Sequence, residues 1–481
     1  MRTCMLGVPL AVSEGLLCPS QIVHIVSGDQ RHWRYPRCKH ESRFFCKAVK
    51  AADFSLSNLE AQLSQKWPAW TQNACRRISQ GKTGQVAEGP TPREAAVILT
   101  RIAKAVQNQG PDAYARQSLG GGREVKGLME ALQVTAPRAS SSGHMPGLAS
   151  NSASGYPSVH AMADLTAADA SQGIWAAAIL GGSAMYEPET DGLIQVGEAQ
   201  GWQCLTAHDV ANACWGLATA RHSTAALDHM MHAGLQAVAP HTWLLPEGVA
   251  RMKARQVTAL LWGCAVLLHQ PTAVLTNLAT VIQSTTGLAK YNCRQLAACA
   301  WALSVLQQQA HPLFHLLSTE LLQRRKAEFT KHTLMQLHQV NLEAKASGLQ
   351  LQSEDRQGLL KTANRVWDAE AFSKRNKQRS YYAKDIVDTV IGLGIQYKEE
   401  DTSSGYAVDV GLLRLKIAIE ADGPSHRSRN TRQLLGSTVM KQRHVRHAGW
   451  QLLTVAHDDW DELRGRQQKL TFLQTRIDLL R

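Results

Sequence analysis

The chain has 481 residues, too many for one hydrophobic core, which predicts two or three domains. Hydrophobic residues make up 44% and charged residues 19%, a balance that excludes wholesale disorder. Lys and Arg outnumber Asp and Glu by 52 to 39, and the net charge of +13 favours polyanionic partners through counterion release. A basic targeting segment combined with scattered solvated lysines is the alternative explanation.

Cysteine and hydropathy patterns exclude two further classes. The ten cysteines include no CxxC and no Cys/His spacing typical of zinc sites, and several lie within helical patterns. These features predict a reducing compartment rather than a secreted disulfide framework. No apolar run reaches 18 residues, so the sequence predicts no membrane-spanning helix.

The first 50 residues contain only three acids, Glu14, Asp29 and Glu41, among many basic residues. This composition predicts an organelle transit segment (residues 1–50), with the chloroplast as the destination and the mitochondrion as the alternative. A disordered basic arm is the other interpretation of the same segment.

Two weaker segments follow. Residues 51–134 predict a poorly defined helical region, in which an amphipathic helix begins near Thr91. Residues 135–160 are dominated by Ser, Gly and Pro, which predicts a flexible linker.

Residues 161–345 contain a repeated segment. Five copies start 40, 47, 39 and 38 residues apart, at Leu165, Leu205, Met252, Tyr291 and Phe329. With that residue counted as place one, place six is apolar in every copy, and place twelve is Ala or Gly in four. Place eleven is Trp in four copies, namely Trp175, Trp215, Trp262 and Trp301.

The spacing of the apolar places predicts helix-turn-helix units that stack into an α-solenoid, since one helix pair cannot bury its own apolar face. A small residue beside the Trp allows the next helix to approach, and the Trp row is interpreted as core. Place eight is the candidate for reading RNA bases, because it holds the polar residues Gln172, Asn212 and Gln336 in three of the copies.

The period near 38, with Trp followed by Ala or Gly, resembles the octotricopeptide repeats of green-algal organelle RNA factors. The resemblance covers roughly residues 165–345 and implies a helical solenoid that binds single-stranded RNA.

A different pattern follows a predicted linker helix at 346–380. Within residues 381–466, YAVDVGLL and LRLKIAIEAD read as two adjacent strands, and WQLLTVAHDDW as a third strand and turn. A basic loop and helix lie between them, so a small α/β domain is expected. Residues 467–481 are predicted to form a C-terminal helix.

This C-terminal region resembles the RAP domain, a module found at the end of many organelle RNA-metabolism proteins. Ten positions carry the resemblance: Asp409, Glu420, Asp422, Gly423, Pro424, His426, Lys441, Gly449, Trp450 and Trp460. The resemblance implies a restriction-endonuclease-like fold. In such nucleases, strand carboxylates bind Mg²⁺ and a lysine helps to activate water.

The nuclease pattern assigns Asp409 and Glu420 as candidate metal ligands. Asp422 stands where the nucleases carry their lysine, so His426 as base and Lys441 as the replacement lysine complete the catalytic candidates. The structural alternative is that Asp422 holds the Gly-Pro turn through backbone N–H groups and Glu420 pairs with a basic residue on the helix. On that interpretation the protein needs no cofactor.

An acid-free run extends from residue 423 to residue 457 and predicts a phosphate-binding surface, with a solvated basic helix as the alternative. Its candidate RNA-binding residues are Arg427, Arg429, Arg432, Lys441, Arg443 and Arg446.

The sequence therefore predicts a mainly α protein, an α-solenoid followed by a small α/β RAP-like domain. Its expected work is to bind single-stranded organellar RNA in maturation, splicing, stability or translation, alongside other RNA-processing proteins and away from membranes. A Mg²⁺-dependent ribonuclease and a protein-binding helical scaffold are the alternatives.

Overall fold

The computed structural model describes residues 92–109, 165–180, 187–202, 205–227, 229–231, 252–271, 275–276, 279, 287–351, 353, 355, 357–374 and 380–481. The predicted transit segment at 1–50 and linker at 135–160 lie outside the described residues, as does all of 51–134 except 92–109. That remaining stretch is helix α1 (Pro92–Gln109), which matches the amphipathic helix expected there.

Within the described residues, eight further helices with defined bounds lie in the repeat region and its C-terminal flank. They are α2 (Ala167–Leu180), α3 (Glu187–Gln200), α4 (Ala207–Ala220), α5 (Ala254–Leu267), α6 (Cys293–Val305), α7 (Pro312–Gln323), α8 (Lys331–Ala346) and α9 (Leu359–Lys374). Helices α2, α4, α5, α6 and α8 each begin at place three of a repeat copy, so the five copies share one local structure.

Capping residues fix these starting points. Thr206 accepts a hydrogen bond from the backbone N–H of Asp209, whose carboxylate accepts one in return from the backbone N–H of Thr206. Asn292 and Gln295 form the equivalent reciprocal pair at the start of α6. Such capping boxes satisfy N–H groups that a helix leaves unpaired at its first turn.

The first helices of the copies pack in a row. Helix α1 contacts α2, and the contacts continue in order through α4, α5, α6, α8 and α9. The predicted linker helix, α9, therefore extends this helical row. Its α2/α3 and α6/α7 units are helix pairs, and the residues that follow α4 and α5 lie largely outside the described ranges.

Place twelve controls the approach of neighbouring helices. A Cβ added to Gly263 would lie 2.7 Å from the carbonyl oxygen of Cys214, and one on Gly216 would lie 3.0 Å from that of Ile174. The prediction that a small residue here allows close packing is confirmed at both glycines.

The Trp row belongs to the core, as predicted. Trp175 and Trp301 are buried, while Trp215 and Trp262 are half-buried and pack against the same apolar cluster. The Trp301 indole N–H donates to Gln339 Oε1 at 2.9 Å, so place eleven of the fourth copy contacts place eleven of the fifth.

The C-terminal domain contains a four-stranded sheet and four helices. Its elements are α10 (Tyr381–Gly392), β1 (Lys398–Asp401), β2 (Val408–Leu412), β3 (Ile417–Asp422), α11 (Gly436–His447), β4 (Gln451–Ala456), α12 (His457–Asp461) and α13 (Gly465–Asp478). The order is β1-β2-β3-β4, antiparallel for the first two pairs and parallel for the last. A parallel pair needs a crossover, which α11 supplies.

Three of these strands match the sequence expectation, whereas β1 does not. The strand sequence KEED contains no apolar residue and therefore carries no alternation signal, and β1 lies at a sheet edge, where a charged strand is tolerated. Helix α13 places Leu473 and Ile477 in the core formed by β2, β3, β4 and α10, so the C-terminal helix belongs to this domain.

None of the helices in the described ranges is both long enough and apolar enough to cross a bilayer. Four cysteines fall within those ranges, Cys214, Cys264, Cys293 and Cys299; all are buried, and none of the four forms a disulfide.

Candidate functional site

The three candidate carboxylates lie on one face of the sheet. Continuing the β2–β3 register one step beyond the pair Val410 and Ile419 places Asp409 opposite Glu420. Asp422 is two residues beyond Glu420, on the same side of β3. The sheet therefore brings together the residues that the sequence singled out.

Lys441 on α11 is the counterion of Glu420. Its Nζ lies 2.7 Å from Glu420 Oε1 and donates to the carbonyl oxygen of Ala407 at 2.9 Å. Burial raises the pKa of Glu420 to about 7; the Lys441 ammonium opposes this rise, and the Asp409 carboxylate adds to it. This ion pair between strand and helix is the one expected from the structural interpretation.

The other two carboxylates also have partners. Asp409 Oδ2 accepts a hydrogen bond from the backbone N–H of Ala421 at 2.8 Å. Asp422, 4% exposed, pairs with the guanidinium of Arg427, where the sequence had suggested N–H groups of the Gly-Pro turn. His426 Nδ1 is 3.3 Å from the hydroxyl of Thr438.

These pairings bear on the fit of a divalent cation. Mg²⁺ binds carboxylate oxygens, but an ammonium contacts Glu420 and a guanidinium contacts Asp422. Across the described parts of the chain, no group of three or more His, Cys, Asp or Glu side chains is placed to hold a metal ion. The side chains as arranged do not fit Mg²⁺, and they support a structural cluster that holds β2, β3 and α11 together.

The basic run behaves differently from the sequence expectation. Arg443 on α11 donates to the carbonyl oxygens of Ser304 at 2.9 Å and Val305 at 3.2 Å, in the last turn of α6. It also bonds to Glu343 Oε2 at 2.9 Å, and His444 Nε2 lies 2.7 Å from the same oxygen. Arg443 is a docking residue, which corrects its assignment to the RNA-binding surface.

Further contacts attach the same run to the helical row. The backbone N–H of Arg429 donates to the carbonyl oxygen of Arg221 at 2.9 Å. The Asn430 amide exchanges two hydrogen bonds with the backbone of Ser223, at 3.0 and 2.6 Å. A Cβ added to Gly436 would lie 1.9 Å from the carbonyl oxygen of Ala265.

The domain therefore docks on the C-terminal ends of α4, α5, α6 and α8. Cations are favoured at these ends because helix C-termini carry partial negative charge and unpaired carbonyls. Leu435 and Met440 are buried within the core of the helical row, and α11 packs on α5, α6 and α8.

The family model of the RAP domain matches residues 419–476, from β3 into α13. The C-terminal part of the chain is a RAP domain. A curated rice protein (Oryza sativa subsp. japonica), named "RAP domain-containing protein, chloroplastic", is 26% identical over 336 residues, 62% of this chain and 50% of the relative. The chain thus spans about half the length of that relative.

The remaining RNA-binding candidates of the RAP domain divide into two groups. Arg427 and Lys441 are engaged with Asp422 and Glu420, and Arg429 is half-buried. Arg432 and Arg446 are exposed. Trp450 and Trp460 are both buried, so neither is placed to stack on a base.

Place eight of the repeats contributes unequally. Gln172 and Asn212 are half-buried, and the Asn212 amide nitrogen is 3.2 Å from His208 Nε2. Gln336 is only 6% exposed, which corrects its assignment as a base-reading residue.

Sequence reasoning missed an aromatic and polar cluster at the docking interface. The Gln339 amide donates to the Tyr406 hydroxyl at 3.2 Å, and that hydroxyl lies 2.8 Å from His444 Nδ1. Trp367 stacks on His338 and contacts Tyr406 edge-on. The sequence signal for this cluster was Gln339, which replaces the Trp found at place eleven in the other four copies.

Proposed function

We propose that this protein is an organellar RNA-binding factor that holds single-stranded transcripts and acts in their maturation, splicing, stability or translation. The observation that best supports this proposal is a RAP domain docked on a row of repeated helices, in a chain of net charge +13. RAP domains are associated with RNA binding in organelle proteins, and a basic chain gains affinity for phosphates by counterion release.

The helical row is proposed to be an octotricopeptide-type α-solenoid. Supporting this, five copies start their first helix at the same place, and each first helix packs on the next. A solenoid offers an extended surface to a flexible strand, and helical repeat proteins read single-stranded RNA in this way.

The proposed location is the chloroplast. The relative from rice carries the word "chloroplastic" in its name, and the acid-poor first 50 residues have the composition of a transit segment. Expression of residues 1–60 fused to a fluorescent protein tests this. Fluorescence confined to mitochondria would refute the chloroplast and identify the mitochondrion as the location of the protein.

Binding is tested with purified full-length protein and fluorescent oligonucleotides. Single-stranded RNA pools should bind more tightly than double-stranded RNA of equal length, with affinity falling linearly on a log–log plot against salt. Absence of binding at low salt would refute the proposal. Salt-insensitive capture of peptides instead would identify a protein-binding scaffold.

A ribonuclease is the second candidate, favoured by one observation. Glu420, with its pKa raised to about 7, lines a cleft with His426 and Lys441, and perturbed acids in clefts are candidate catalytic groups. Incubation of labelled RNA with Mg²⁺ tests it, with Glu420→Gln as the matched variant. Cleavage by the wild type that this variant abolishes, with binding retained, would make the protein an enzyme. We expect intact RNA in both reactions.

A further inference from the structure

Place four of the repeat is basic in four of the five copies. The first copy has Ala168, and the following ones have His208, Arg255, Arg294 and His332. Place four is the second residue of each first helix. We refer to His208, Arg255, Arg294 and His332 as the place-four ladder.

The packing of the helical row brings these residues into a series. Helices α4, α5, α6 and α8 contact one another in that order, with axes about 8–10 Å apart in such packing. The Arg255, Lys104 and Lys253 cations act electrostatically on His208, so basic groups from α1, α4 and α5 lie near each other. Arg255 is exposed, and His208, Arg294 and His332 are half-buried.

The residue that follows each ladder position changes along the row. Place five holds the capping acids Asp169 and Asp209 in the first two copies, but neutral residues in the last three, namely Gln256, Gln295 and Thr333. Glu328 reaches Cys293, beside Arg294, and is itself paired with Arg325 at 3.1 Å. Arg255 and Arg294 are the two guanidinium groups of the ladder, and neither is followed by an acid at place five.

The opposite ends of the same helices are already covered. The RAP domain contacts Arg221 after α4, Ala265 in α5, and Ser304 and Val305 in α6. Each of these helices has 13 or 14 residues, a length of about 20 Å at 1.5 Å per residue. The RAP domain thus covers the C-terminal ends of these helices, and the place-four ladder lies at their opposite ends. An RNA strand that ran along the row could follow the ladder without meeting the docked face of the RAP domain.

We infer that the place-four ladder is the phosphate-binding track along the row, with Arg255 and Arg294 as its main contacts. This inference rests on the proposed function and locates the RNA backbone on the helix starts, away from the docked part of the RAP domain. Guanidinium groups suit the task because they pair with phosphate oxygens through two hydrogen bonds.

The test compares two double variants of the full chain that each remove two positive charges. Arg255→Gln with Arg294→Gln alters the ladder. Lys361→Gln with Arg365→Gln alters two exposed cations of α9, in the same helical row. Fluorescence anisotropy with one single-stranded RNA at four salt concentrations gives the affinity and the salt slope, and thermal melting checks folding.

The ladder variant should bind at least about 10-fold more weakly at low salt, with the slope of log affinity against log salt shallower by about 1.4, since each single-strand phosphate contact contributes about 0.7. The control variant should match the wild type in slope. Equal slopes for wild type and ladder variant, or equal losses in both variants, would overturn the inference while leaving RNA binding intact. A wild type that binds no RNA would instead remove the proposed function.

Discussion

Arg443 of the RAP domain and Glu343 of α8 form an ion pair at 2.9 Å across the domain interface, with Glu343 only 4% exposed. The same guanidinium bonds to the last carbonyls of α6. One side chain thus joins two helices of the row to the α/β domain.

Arg443→Ala should lower the free energy of unfolding by about 3 kcal/mol, because it leaves a buried carboxylate and two helix-end carbonyls short of partners. Arg446→Ala, three residues later and exposed on the same helix, is the matched control and should cost under about 0.5 kcal/mol. Chemical denaturation measures both. Equal costs would show that the Arg443 contacts contribute little.

Gly436→Ala should weaken docking, because the added methyl group would clash with α5 and with the core residue Val305 of α6. The added Cβ would lie 1.9 Å from the carbonyl oxygen of Ala265, so α11 must move off α5. We expect a larger radius of gyration by X-ray scattering and a lower unfolding midpoint. Ser437→Ala, at the exposed neighbouring position, should leave both quantities at wild-type values, and a compact Gly436→Ala protein would contradict the docking geometry.

Gly263→Ala should destabilise the protein by about 2 kcal/mol, although Gly→Ala within a helix ordinarily stabilises by up to about 1 kcal/mol. The reason is the 2.7 Å approach of the added Cβ to the Cys214 carbonyl oxygen. Gly216→Ala should cost less, since its nearest backbone atom would be 3.0 Å away. Thermal melting of both variants shows which of them loses more stability. An increase in stability for Gly263→Ala would show that α4 and α5 separate readily.

Glu420 predicts a pH dependence of stability. Its folded pKa is about 7, against an ordinary value of 4.5, so between these values the folded state holds a proton that the unfolded state has lost. Stability contributed by this group therefore falls as pH rises from 4.5 to 7. The stability difference between wild type and Glu420→Gln should decline by about 3 kcal/mol over that window. Chemical denaturation at pH 5 and pH 7.5 measures this difference. The same difference at both pH values would contradict the raised pKa.

Local features of this protein were predictable from the sequence because they are encoded locally. The period of the apolar places predicted a first helix in each copy, and the structure shows Thr206 and Asn292 capping two of these helices. Alternating residues likewise predicted β2, β3 and β4, and the resemblance to the RAP domain singled out Asp409 and Glu420, which the strand register places opposite each other.

Contacts between distant segments were not predictable in this way. Arg443 looks like any member of a basic run, and its role depends on carbonyls of α6 about 140 positions earlier in the chain. Every residue has a backbone carbonyl oxygen, so the residue types of α6 do not show which carbonyls accept these hydrogen bonds. Strand β1 escaped for a related reason, since an edge strand can be charged along its length.

Docking of the RAP domain across four successive helices has a mechanical consequence. A stack whose members touch only their neighbours bends and stretches easily, whereas a rigid body fastened to several members holds their spacing constant. On the proposed function, the distance between successive residues of the place-four ladder is then fixed before RNA binds, so less conformational entropy is lost on binding. Variants that weaken the contacts between the RAP domain and the helices should therefore let the helix spacing vary. The proposed RNA binding would then be weaker, and the number of nucleotides bound would be less uniform.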